Sequence, residues 1–224
     1  MAFINQLENA FQEINNAENA LAMAKYMKNH LSFFGIKTTE RRQRFKEIWK
    51  ANKPEVTKNT RAIALELYAK EQRELHYCAI EILIKELKGN YKKEDILLIE
   101  KLLTTNSWWD SVDTISKYML GQYLVEFPDA IDTTIDKFSN SDNMWLNRSA
   151  ILFQLDYKKK TNFELLKTIC IQHQSSKEFF IQKAIGWALR EYAKTNSEAV
   201  KQFVLVNNLK PLSRKEALKN VSDA

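Results

Sequence analysis

The sequence predicts an all-α protein, on three observations. Only 4 Gly and 3 Pro occur in 224 residues, so few positions can form the tight turns that an all-β or parallel-sheet fold consumes. Apolar residues, 45% of the chain, recur at helical spacing almost throughout. The chain also resembles itself at a period near 35 residues.

Polar breaks cut the apolar pattern at 29–38, 52–57, 88–93, 104–106, 127–129, 139–143, 158–162, 174–177, 195–197 and 207–213. They predict about a dozen short helices. Thr38, Thr57, Asp129 and Ser213 each precede a helical run and are read as N-caps, whereas Pro128 and Pro211 stand where a helix cannot continue. No break has the composition of a flexible linker, so residues 1–224 are expected to form a single domain.

The repeat is seen when WLNRSAILFQLDYKKK, from Trp145, is laid on FIQKAIGWALREYAKT, from Phe180, at an offset of 35. HYCAIEILIK, from His76, aligns with NRSAILFQLD, from Asn147, at an offset of 71, about twice that period. Two helices per unit of this length describe an α-solenoid of the HEAT or armadillo kind. The expected architecture is therefore a right-handed α-solenoid of HEAT-like repeats with a concave basic cleft. In that register Arg42, Tyr77, Asp113, Arg148 and Lys183 fall at intervals of 35, 36, 35 and 35, and should run as a stripe along one face. Asp113 is the one acid in it.

Composition narrows the chemistry. Lys and Arg outnumber Asp and Glu by 34 to 28, a net charge of +6, which suits a polyanionic partner without requiring one. Cys78 and Cys170 sit in apolar helical patterns and are expected to be buried, reduced thiols. The three histidines, His30, His76 and His173, show no metal-ligand spacing, so neither a metal nor another cofactor is expected. No run of roughly 20 apolar residues occurs, and the first residues lack the pattern of a signal peptide. The expectation is a soluble, cytoplasmic protein, associated with the nucleoid when bound to DNA.

In SWWDSVD (107–113) a helix places Trp109 one turn before Asp113 on the same face, and Trp187 stands four residues after Lys183 two units later. A lone carboxylate between indoles and cations, without a second acid, suits one reaction in particular. Ordinary glycosidases use two carboxyl groups because a neutral leaving group must be protonated. An N3- or N7-alkylated purine already carries positive charge and departs neutral. One aspartate near C1′ would then stabilise the oxocarbenium and orient water, while surrounding cations hold the DNA and lower the carboxyl pKa.

YMKNHLSFFGIKTTERR (26–42), SWWDSVD, SDNMWLNRSAILFQLDYK (141–158) and SSKEFFIQKAIGWALREYAKTN (175–196) closely resemble the DNA alkylation repair glycosylases of the AlkD family. The resemblance covers nearly the whole chain. It implies excision of 3-methyladenine and 7-methylguanine from duplex DNA in base excision repair, with the lesion left outside a base pocket. It also implies that Asp113 is catalytic, that Trp109 and Trp187 are the aromatic walls beside the lesion, that Arg148 grips phosphate, and that Tyr26 is a further DNA contact. Lys183 and Arg42 join this set by register. Alkylated duplex is the expected partner of a monomer with no obligate protein partner and no membrane. Thr39 departs from the family's usual proline at a first helical turn, which touches local stability and not the chemistry.

Plainer readings compete. Asp113 could be a surface residue paired with Lys117, and Arg148 and Lys183 could be solvated charges. Trp108 points about 100° from Trp109 and is read as core, as are Trp145 and Trp49. His76 and His173 are read as structural, and Glu178 and Glu191 as ion-pairing partners. Lys158, Lys159 and Lys160 would grip a phosphate backbone or merely solubilise. The alternative function is a non-catalytic solenoid binding DNA structures or proteins.

Overall fold

A computed structural model describes residues 1–219. The fold is all-α and solenoid-like, and among the described residues there is no strand. No helix among them is long and apolar enough to cross a membrane. The chain packs as two compact units that meet in sequence at Asn90, inside the break expected at 88–93.

The first unit holds α1 (Ala2–Glu13), α2 (Ala17–Tyr26), α3 (Thr38–Ala51), α4 (Lys53–Lys58), α5 (Thr60–Tyr68) and α6 (Arg73–Leu87). Helix α1 buries Phe3, Ile4, Leu7 and Phe11, one face at helical spacing, and the Phe3 ring meets Phe45 of α3 edge-on at 6.5 Å. The segment leading into α3 is tied down by the buried Glu74, whose carboxylate accepts from the backbone N–H groups of Phe34, Gly35 and Ile36 at 3.0, 2.9 and 3.1 Å. Gly35 has φ +86°, and a Cβ there would lie 2.1 Å from the Asn16 carbonyl oxygen, so only glycine fits.

The second unit holds α7 (Asp95–Thr104), α8 (Trp109–Ile115), a π-helical turn (Ser116–Leu120), α9 (Gly121–Glu126), a 3₁₀ turn (Pro128–Ala130), α10 (Ile131–Ser139), α11 (Met144–Leu152), a second 3₁₀ turn (Lys158–Lys160), α12 (Phe163–His173), α13 (Phe179–Ala193), α14 (Ser197–Val206) and α15 (Pro211–Ala217). Helix α11 packs against α7, α8, α10 and α13, and α13 also against α12, α14 and α15. Polar contacts between these layers recur near the sequence period. Arg148 meets Asp113 35 residues away, Ser149 meets Ser116 at 33, and Tyr157 meets Gly121 at 36.

Two expectations about helix ends are corrected. Segment 52–57 is not a break, because Lys53–Lys58 forms α4 with Pro54 in its first turn, where the missing N–H is harmless. The side chains that cap helices are asparagines, namely Asn16, Asn143, Asn162 and Asn196, each accepting a backbone N–H of the first turn. Thr38, Thr57 and Ser213 lie inside helices and Asp129 inside the first 3₁₀ turn. Ser213 instead bolts α15 to α13, its hydroxyl donating to the Gln182 carbonyl at 3.0 Å. Cys78 and Cys170 are buried and unbridged, and burial pushes the Cys78 thiol up to about 12. His76 is buried with Nε2 2.7 Å from the Lys70 carbonyl oxygen, and Trp49 is also buried.

At Gly186 of α13 a Cβ would meet Glu216 Cβ at 2.4 Å and the Ser213 carbonyl oxygen at 2.8 Å. The absent side chain lets α15 lie directly on α13. Gly186→Ala is expected to force the helices apart and lower unfolding stability by about 1–3 kcal/mol, measured by urea denaturation.

Candidate active site around Asp113

Helix α8 starts at Trp109, and Trp108 precedes it in extended conformation, φ −150° and ψ 161°. The backbone reversal sends the two adjacent indoles apart. Trp109 takes the first helical position, one turn before Asp113, while the Trp108 ring joins Trp145 and Phe180 at centroid distances of 5.8 and 5.4 Å. Trp145 and Phe180 close this aromatic triangle at 5.1 Å.

Asp113 is bound to Arg148 of α11. Arg148 Nε donates to Oδ1 at 2.7 Å and Nη2 to Oδ2 at 2.9 Å, a fork-on-fork geometry open to arginine but not to lysine. Its Nη1 donates to the Phe180 carbonyl of α13, and the guanidinium lies 5.9 Å from the Phe180 ring centroid. Arg148 thus joins three helices. Its side chain is 5% exposed and that of Asp113 is 16% exposed, so the aspartate is the more accessible of the two.

Burial pushes the Asp113 carboxyl above its ordinary value, the Arg148 hydrogen bonds and charge pull it down, and Asp110 adds a smaller upward push. The net direction is up. This reverses the expectation that cationic surroundings lower it, because loss of water outweighs the single arginine. With both oxygens accepting from a guanidinium, the bound form is the anion.

Beneath the pair, Ser116 Oγ lies 2.8 Å from Ser149 Oγ and 2.6 Å from the Val112 carbonyl oxygen, with both serines buried. The π-helical turn follows at once, and the Gly121 N–H closes it on the Ser116 carbonyl. A Cβ on Gly121 would lie 2.4 Å from the Phe153 carbonyl oxygen, so the wide turn and the glycine together let α9 meet the end of α11. Among the described residues no group of three His, Cys, Asp or Glu could hold a metal ion.

The sequence matches the DNA alkylation repair enzyme family over residues 7–221. The chain belongs to that family. A solved structure from Enterococcus faecalis, described as a predicted DNA alkylation repair enzyme, is 33% identical, with a TM-score of 0.85 over 94% of this chain and 98% of its own. The protein smu.31 of Streptococcus mutans UA159 shares the fold at 18% identity and TM-score 0.60, over 91% of this chain and 100% of its own. No curated protein matches the sequence.

In this family member the structure brings Asp113 and Arg148 into contact and sets Trp109 on the Asp113 face of α8. On α13, Phe180, Lys183 and Trp187 follow at helical spacing, so Trp187 stands two turns along the face that receives Arg148. Lys183 pairs with Glu216 of α15 at 2.9 Å, as does Arg190 at 2.7 Å. Tyr26 and Arg42 lie in the first unit, 69% exposed and with a side chain 63% exposed respectively. There Arg41 and Arg42 both reach Glu81 of α6, at 2.6 and 3.1 Å; Arg41 is buried with its guanidinium 5.3 Å from the Tyr77 ring, whereas Arg42 keeps most of its side chain in solvent. Arg148 itself, expected to grip phosphate, is engaged within the protein on three of its N–H groups. Lys117 pairs with Asp156 at 3.5 Å.

Phe180 and Ser116 went unnoticed in the sequence. The 35-residue offset pairs Phe180 with Trp145, a signal that the two rings share a layer. Nothing in the sequence distinguishes Ser116 from a surface serine.

Arg148→Met leaves a buried carboxylate without its counter-ion and is expected to cost about 3–5 kcal/mol at pH 8. Because Arg148 lowers the Asp113 pKa, its loss raises the folded value still further above the unfolded one. A protonated carboxyl carries no such penalty, so the gap between variant and parent narrows as pH falls through that raised value. Urea denaturation at pH 8 and pH 5 measures it.

Proposed function

We propose that the protein is a DNA glycosylase that hydrolyses the N-glycosidic bond of N3- and N7-alkylated purines, 3-methyladenine and 7-methylguanine among them, in duplex DNA. The observation that carries this reading is the Asp113 carboxylate, clamped in place by Arg148 yet partly open to solvent, one helical turn from Trp109. Membership of a DNA alkylation repair family supplies the substrate's general nature.

The chemistry follows from charge. As the C1′–N bond breaks, its electron pair neutralises the cationic purine and positive charge passes to the sugar. A fixed anion near C1′ attracts that charge more strongly than it attracts the distant purine, which is stabilisation confined to the transition state. Water then bonds to C1′ and its proton goes to solvent, with the free edge of Asp113 orienting it. Trp109 and Trp187 supply apolar faces for the deoxyribose. Arg148 acts as a positioning residue, and in this reading its phosphate grip gives way to holding the carboxylate.

Asp113→Asn retains one acceptor toward Arg148 but removes the charge. Release of 7-methylguanine from methylated duplex, followed by chromatography, is expected to slow about 10²- to 10³-fold. Affinity for undamaged duplex should stay within a few-fold. A rate equal to the parent's would remove Asp113 from the reaction. In the parent protein the acid limb of the rate profile should lie above the ordinary carboxylate range, because Asp113 must be ionised and its pKa is raised.

A further inference from the structure

Lys158, Lys159 and Lys160 are exposed and form the second 3₁₀ turn. Three adjacent lysines on a loose loop would be solvated charge, but this loop is built. Buried Gln154 spans it, its Oε1 accepting from the Asn162 N–H at 2.7 Å and its Nε2 donating to the Asn162 carbonyl at 3.2 Å. Tyr157 pins it from below, its hydroxyl donating to the Gly121 carbonyl at 2.7 Å. Within it Lys158 holds φ +53°, a left-handed conformation that a lysine rarely adopts. Strain of this kind persists where the surroundings over-determine the backbone.

The turn is also placed. Asp156 pairs with Lys117 at 3.5 Å, and Lys117 follows Asp113 by four residues on the continuous run of α8 and the π-helical turn. Lys117 is thus one helical turn from the carboxylate, and its side chain reaches Asp156 two residues before the lysine turn. The Tyr157 anchor on Gly121 sets that turn beside the C-terminal end of the same helical run.

We propose that Lys158–Lys160 is a preorganised phosphate-binding site that grips the duplex backbone a few nucleotides from the residue held at Asp113, with Gln154 as its positioning residue. The placement relative to the reaction rests on the glycosylase reading, whereas the binding itself does not. A rigid lysine turn engages phosphates without paying for ordering its own backbone, so it adds affinity that the same charges on a mobile loop would not. It reads no base, and its contribution is the counterion-release part of binding.

The test uses the full chain and a fluorescent undamaged duplex, with anisotropy read over a range of NaCl concentrations. Replacing all three lysines by glutamine, K158Q with K159Q and K160Q, should lower the slope of log affinity against log salt by about 2 to 3. An equal charge change at exposed Lys88, Lys92 and Lys93, as K88Q with K92Q and K93Q, is the control and should leave most of the slope. Gln154→Ala, which keeps every charge, should weaken binding several-fold while a thermal melt reports the fold intact. An unchanged slope in the first variant, an equal loss in the control, or parental affinity in Gln154→Ala with an intact fold would each overturn the proposal. If the parent itself shows no salt-dependent duplex binding, the DNA-repair reading of the site fails with it; if the parent binds and only the lysine variants behave as parent, this inference alone fails.

Discussion

The fork-on-fork bond between Arg148 and Asp113 is the constraint around which the second unit is arranged. Burying an arginine and an aspartate together costs desolvation of both, and a well-packed apolar pair would stabilise the fold at least as well. What the ion pair supplies is register. It fixes α8 against α11 at one rotation, and the remaining Arg148 contact, to the Phe180 carbonyl, fixes α13 against both. The neighbouring features serve the same interface. The serine pair links the same two helical runs, and Gly121 removes the side chain that would hold α9 off the end of α11. The π-helical turn adds one residue to the helix immediately beyond Asp113, so the aspartate and the glycine can each face α11 in a helix whose regular spacing would misalign one of them.

In the proposed reaction a single carboxylate would act on a substrate whose total charge does not change. Positive charge moves from purine to sugar, so an anion near both would bind ground state and transition state alike and accelerate nothing. Selectivity requires the carboxylate to be immobile, and to be anionic although buried. Arg148 provides both, since its two bonds fix the carboxylate plane and its charge offsets part of the burial that raises the pKa. On the guanidinium side the Phe180 ring lies 5.9 Å away, itself packed with Trp108 and Trp145, and low polarity there limits screening of that offset.

The helices and the repeat were legible because they rest on periodicity, which survives in sequence wherever one face is buried. The 35-residue spacing sets Arg148 one unit along the same stripe as Asp113, and the i,i+4 rule sets Trp109 on the aspartate's face. What the repeat could not reveal is which contact an arginine prefers. A charged residue in register with an acid reads equally as a phosphate ligand or as that acid's partner, and only burial separates the two. The same limit applies to Arg41 and Arg42, which share Glu81 as partner and which burial alone tells apart. Helix caps were misread for a different reason. Thr38, Thr57, Asp129 and Ser213 fall inside helical elements and not ahead of them, and the preference of a residue for caps does not locate the beginning of an element to the residue.

The cationic residues divide into two populations with different work. Arg41, Arg148, Lys183 and Arg190 sit on helices that face their neighbours and are paired with Glu81, Asp113 or Glu216, so their charge is spent between helices. The net charge of +6 is then expressed by residues such as Lys158, Lys159 and Lys160, which stand in solvent. Glu216, drawn down to about 2 by Lys183 and Arg190, remains ionised across any working pH and keeps those two cations committed. Affinity for a polyanion therefore falls to the exposed set, which can be varied without disturbing helix register. The paired set determines where the carboxylate points. In the proposed reading, separating grip from geometry in this way would insulate the reacting group from whatever sequence the duplex presents.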